Sequence, residues 1–169
     1  MEEEKEIIEA LKADESIAES WVLLYQKRKN EYYEAERYIC EDIPSPSGLG
    51  HGSGIASPTE MKFIKLSDLD EAKSWLLVVE LMERLLSPKQ VLFLELRRRA
   101  ATRSETLQSI GKGKINWVVF VQKKFAEQMA KKYKRPENEF WLSEQTLYTW
   151  WKRIVTVTLR IAYHKKCKF

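Results

Sequence analysis

The first 42 residues contain neither glycine nor proline, and that absence limits what the start of the chain can become. Glu, Lys, Ala, Leu and Tyr dominate the stretch, and most of these lose little side-chain freedom in a helix. Apolar Trp21, Leu24, Tyr25, Tyr32, Ala35 and Ile39 recur mainly at three- and four-residue intervals, the spacing of one helix face. Asp14 or Ser16 in the run KADES could cap a restart of the helix. The apolar stripe is narrow and flanked by charge. A solitary helix of this kind is marginal in water, so the segment is expected to pack on another helix of the chain or of a second subunit.

Between Ile43 and Pro58 the composition changes to PSPSGLGHGSGIASP, which holds four of the six glycines and three of the five prolines. This reads as a linker or structured loop, because such residues neither sustain a helix nor alternate as a strand does. His51 sits among the glycines without a second ligand nearby, and no phosphate-loop lysine follows them.

Helix signals resume at Ser57-Pro58-Thr59-Glu60, where a hydroxyl, a proline and a glutamate three residues on spell a capping box. The run to Leu86 carries Phe63, Ile64, Leu66, Leu69, Trp75, Leu76, Val79, Leu81, Met82 and Leu85, enough for a buried helix with a bend at Ser67-Asp68. Ser87-Pro88-Lys89-Gln90 repeats the boxed start. The next helix is expected to turn Val91, Leu92, Leu94 and Leu96 inward and to end near Arg97, Arg98 and Arg99, since cations favour a helix C-terminus. Residues 104–114, with Gly111 and Gly113, interrupt the pattern. A further helix begins near Asn116 with an apolar stripe of Trp117, Val118, Val121, Phe125 and Met129, and Ser143 is a suitable cap for the last one. The spacing thus predicts an all-α fold of five or six helices. A helical arm spans residues 1–42, a Pro/Gly/Ser-rich loop 43–57, and a helical bundle 58–169.

Charge divides the chain as sharply as glycine does. Residues 1–80 hold 9 Lys+Arg against 18 Asp+Glu, a net of −9, while residues 81–169 hold 20 against 7, a net of +13. An asymmetry of this size points the basic half towards a polyanion, nucleic acid above all. Acidic and basic helices pairing with each other would be the plainer explanation.

Catalysis is hard to assemble from these residues. The two histidines, His51 and His164, lie in the loop and the basic tail, and Cys40 and Cys167 lack CxxC or Cys/His spacing. No enzyme activity, cofactor or metal is expected. No apolar run is long enough to span a bilayer and the acidic N-terminus is unlike a signal, so a cytoplasmic protein without a membrane partner is expected.

The last third has the order of a helix-turn-helix, at about 117–162, whose second helix would enter the major groove of duplex DNA. Its connector from Lys134 to Leu142 runs nine residues where three or four are usual. On the final helix Leu147, Trp151, Ile154 and Val155 can share a core face, leaving Gln145, Thr146, Tyr148, Thr149, Lys152 and Arg153 outward. These side chains suit bases and phosphates, since Gln pairs with adenine, Thr meets a thymine methyl, and Lys or Arg takes guanine or a phosphate. Lys123, Lys124, Lys131 and Lys132 on the preceding helix join them as candidate phosphate contacts. Of Trp150 and Trp151, one should close the core and the other lie at its edge.

The order YYEAERYICEDIPSPSGLGHGSGIASPTEMKFIKL, a long helix, LLSPKQVLFLELRRR and finally FWLSEQTLYTWWKRIV resembles the ArpU/RinA family of phage late-gene transcriptional regulators. The C-terminal part of that family is similar to region four of sigma factors. The resemblance spans roughly residues 25–162 and implies a transcriptional activator acting in a bacterial host. FAEQMAKKY would be the first helix of the motif and Ser143 to Val155 the second. RNA polymerase is the partner so implied, and the apolar stripe of the N-terminal helices adds a second subunit as a candidate partner. Two alternatives share the sequence features: a phage small terminase subunit, which recognises packaging sites and assembles into rings, and a helical adaptor whose basic half docks an acidic protein.

Overall fold

In the computed structural model, which describes residues 2–41 and 58–169, the chain forms six α-helices: α1 (Glu2–Leu23), α2 (Tyr25–Glu41), α3 (Pro58–Arg84), α4 (Pro88–Ser109), α5 (Trp117–Tyr133) and α6 (Glu144–His164). A short 3-10 helix, Glu137–Phe140, lies between the last two, and there is no strand among the described residues. The loop 43–57 with His51, the Ser57 cap, and the side chains of Cys40, Glu60, Phe63 and Ile64 lie outside what is described.

Local chemistry sets the ends of the helices. Ser87 caps α4 with its hydroxyl accepting from Gln90 N–H, while the Gln90 side chain accepts from Ser87 N–H, so the expected capping box is formed. Asn116 accepts from the N–H groups of Val118 and Val119 at the head of α5, and Ser143 from that of Thr146 at the head of α6. Each cap satisfies a donor that the first helical turn leaves orphaned, worth about 1 kcal/mol. At the other end of α4, Lys112 N–H reaches Leu107 O and Gly111 N–H reaches Gln108 O. These are the paired bonds of a Schellman ending, and Gly111 takes its left-handed position at φ 74°. The same pair of bonds closes α6 at Lys166, while at the end of α5 the N–H groups of Lys134 and Arg135 both reach Ala130 O; Lys134 and Lys166 are non-glycine residues with positive φ.

Several expectations from the sequence are corrected. The α1 helix does not restart at KADES, and the break comes at Leu24. Arg98 stabilises this break, donating from Nε to Val22 O at 2.8 Å, a carbonyl in the last turn of α1. α3 runs through Ser67-Asp68 as one continuous helix. Arg97, Arg98 and Arg99 lie mid-helix, because α4 runs on to Ser109 and the terminating signal is Gly111. Leu66, Leu85 and Val91 are exposed, whereas Phe93, which the apolar count passed over, is fully buried.

One core runs through all the helices. α1 packs on α6, α3 on α6, α2 on α3, and α4 on α5. Ala18, Val22 and Tyr25 from the N-terminal helices are buried together with Trp75, Val78, Val79 and Met82 of α3 and Leu147, Trp151 and Ile154 of α6. The acidic segment is therefore not an arm apart, and it supplies the surface on which the last helix rests. Trp21 stacks parallel on Trp75 at 5.7 Å, and Trp75 donates its indole N–H to Lys168 O, anchoring the C-terminal residues to α3. No helix among the described residues is long and apolar enough to cross a membrane.

Candidate nucleic-acid interface

The geometry of α6 follows from its residue order. Leu147, Trp151, Ile154, Val155, Thr158 and Ala162 are buried, recurring at three- and four-residue intervals apart from the adjacent pair Ile154 and Val155. Thr158 sits in this apolar face with its hydroxyl satisfied, donating to Ile154 O at 2.8 Å. On the opposite side Gln145, Tyr148, Thr149, Lys152 and Arg153 are exposed, as expected. Glu144, Gln145, Tyr148, Thr149 and Lys152 line one shallow depression, and Thr149, Lys152, Arg153, Thr156, Val157 and Arg160 line a second. Thr149 and Lys152 belong to both, so the two form one continuous face.

Two members of that face were not anticipated. Thr156 and Arg160 continue it by another two turns, and the spacing Thr149, Arg153, Thr156, Arg160 carried the signal. No carboxylate pairs with Lys152, Arg153 or Arg160 among the described residues. Thr146, in contrast, is half-buried, and its hydroxyl is hydrogen-bonded to that of Ser143 at 2.8 Å. It serves the cap more than the outward face.

The lysines of α5 are not brought to this face. Lys131 and Lys132 line a separate depression with Pro88, Lys89, Val91 and Leu92 of α4. The Lys132 ammonium stands over the Tyr133 ring, Lys124 is paired with Glu127 at 2.8 Å, and Lys123 is exposed.

The long connector is a built element. Tyr133 stacks on Phe140 at 5.7 Å, Arg135 pairs with Glu139 at 2.9 Å, and Gln122 donates from Nε2 to Leu142 O at 2.9 Å. Two ring pairs, Trp117 with Tyr148 and Phe125 with Trp150, join α5 to α6, and Phe93 of α4 meets both Trp117 and Trp150 edge-on. Aromatic side chains thus form part of the contact between the two helices. Trp151 closes the core and Trp150 lies at its edge, which settles the choice the sequence left open.

Behind α6, α1 supplies the acceptors. Trp151 donates its indole N–H to Glu19 Oε1 at 2.9 Å, and Tyr163 donates its hydroxyl to Asp14 Oδ2 at 2.7 Å. The Asp14 bond pushes the Tyr163 pKa up to about 12. Acidic α1 and basic α6 therefore do pair, through neutral donors of α6, while among the described residues no carboxylate pairs with its outward cations. No group of three metal-binding side chains occurs among the described residues.

No family model, curated protein or solved structure matches the chain. The geometry of α6 and the charge distribution therefore bear the functional argument.

Proposed function

We propose that the chain is a sequence-specific duplex-DNA-binding protein that regulates transcription, with α6 as the reading helix. The observation that carries this reading is the single exposed face of α6. It sets Gln145, Tyr148 and Thr149 beside Lys152, Arg153 and Arg160, opposite a face committed to the core. A helix so divided can enter a major groove without disturbing its own packing, reading base edges with the polar side chains while the cations take phosphates. The +13 net charge of residues 81–169 supplies the sequence-independent attraction.

The proposed activation of phage late genes in a bacterial cytoplasm rests on the sequence resemblance. RNA polymerase or a second copy would meet the acidic outer surfaces of α1 and α2. Selection of duplexes from a randomised pool by the full-length protein tests the reading. One enriched motif is expected, whose recovery falls steeply with salt. Binding without enrichment would leave a non-specific polyanion binder, and no binding at all would remove DNA as the partner.

A further inference from the structure

The three consecutive arginines of α4 have different fates. Arg98 is consumed by the fold: its guanidinium lies 2.6 Å from Glu83, donates to Val22 O and stands over the Tyr25 ring. Arg99 is exposed. Arg97 is half-buried, yet forms no ion pair and no hydrogen bond among the described residues, and its Nε is sealed from water. Two indoles hold it, with the guanidinium carbon 4.4 Å from the Trp117 ring centre and 4.9 Å from that of Trp151. Desolvation lowers its pKa, and the nearby charge of Glu19, whose carboxylate accepts the Trp151 indole N–H, opposes that shift without a hydrogen bond to Arg97.

A cation partly withdrawn from water, without a hydrogen-bonded counter-ion, is costly unless an anion arrives. Its position says which anion. The Trp117 ring that carries Arg97 meets the Tyr148 ring edge-on at 5.3 Å, and Tyr148 belongs to the outward face of α6 with Gln145, Thr149 and Lys152. The segment leading into α5 adds exposed Lys112 and Lys114.

We propose that Arg97 contacts a backbone phosphate of the duplex that α6 reads, with Trp117 and Trp151 holding its guanidinium in place before DNA binds. This rests on the DNA-binding reading above and adds an anchoring point from a different helix. A planar guanidinium can engage a phosphate through two parallel hydrogen bonds while its faces stay on the indoles, and an ammonium cannot. Held between rings, it also loses less freedom on binding than a surface lysine.

The test uses the full-length protein and a duplex recovered from the randomised pool, with single phosphates neutralised in turn as methylphosphonates. Binding is measured for wild type, R97Q and R97K over a range of salt. One phosphate should be found whose neutralisation weakens wild type about tenfold, the scale of a charged hydrogen bond, and R97Q less than about twofold. R97Q should also reduce the slope of log affinity against log salt by about 0.9, and weaken all sequences alike. If R97Q does not fold, R97K decides: it should keep the salt slope but lose several-fold in affinity, with the loss confined to the same phosphate. Arg97 variants that retain the wild-type response at every phosphate would overturn the assignment and leave the DNA reading standing. A wild-type protein that binds no duplex would overturn both.

Discussion

Trp151 on α6 donates its indole N–H to Glu19 on α1, 2.9 Å away, across 132 positions of sequence. The helix proposed to read DNA is thereby tied to the acidic start of the chain through its buried face. Trp151 is 8% exposed, so the bond sits where its loss is felt. Trp151→Ala should cost about 3 to 5 kcal/mol of stability, as truncation of a buried aromatic does. Glu19→Gln, which keeps an acceptor oxygen, should cost less than about 1 kcal/mol, while Glu19→Ala leaves the indole N–H without its partner and should cost about 1 to 3 kcal/mol. Denaturant unfolding of the three variants checks the order.

Substitutions on the other face of α6 should separate binding from folding. Thr149→Ala and Arg153→Ala should each change stability by no more than about 0.5 kcal/mol, since both side chains are exposed. Loss of a base contact would cost about 1 to 3 kcal/mol on the selected site and relax discrimination at one position. Wild-type affinity in both variants, with folding intact, would remove α6 as the reading helix.

Cutting the chain at the charge boundary should not yield a working basic half. Residues 81–169 alone would lose Ala18, Val22, Trp75, Val78 and Val79, all essentially inaccessible in the intact core. The fragment should show no cooperative thermal transition by circular dichroism. A fragment with a sharp transition would show that α4, α5 and α6 suffice as a core.

Tyr25, Lys29 and Glu80 join α2 to α3. The Tyr25 hydroxyl donates to Glu80 Oε1 at 2.7 Å, and the Lys29 ammonium lies 3.2 Å from the same oxygen. The tyrosine bond first, then Lys29 and Arg84, hold the Glu80 carboxyl below its ordinary value of 4.5. A depressed carboxylate pKa contributes stability that is present above the unfolded value and is lost as pH falls through the folded one. Glu80 is about one-third exposed, so the contribution should stay under about 1 kcal/mol. Glu80→Gln should flatten the fall in melting temperature below about pH 4.5, and an unchanged acid limb would contradict the assignment.

Gly111 isolates a backbone effect. Its φ of 74° is left-handed, and a Cβ added there would meet nothing within 4 Å. Gly111→Ala should therefore destabilise through conformation alone, by about 1 to 2 kcal/mol. A change near zero in thermal unfolding would mean that the helix end rearranges.

Much of this molecule is decided by interactions within a few residues. Ser87, Asn116 and Ser143 start helices because their side chains reach donors two or three positions on, and α6 splits into two faces because its apolar residues keep a helical period. Such features need no distant partner, so they are legible in the sequence, and so is the outward set of Gln145, Tyr148, Thr149, Lys152 and Arg153. The fate of the arginines in α4 was not legible, because local charge patterning favoured a helix end while Val22, Glu83 and Trp117 gave them mid-helix roles. Nor was the placement of the acidic helices: an apolar stripe states that something must cover it, and only the tertiary structure shows that α1 covers α6. Whether a charge is spent inside the fold or left for a ligand depends on which distant group lies within hydrogen-bond reach, a property of packing in three dimensions.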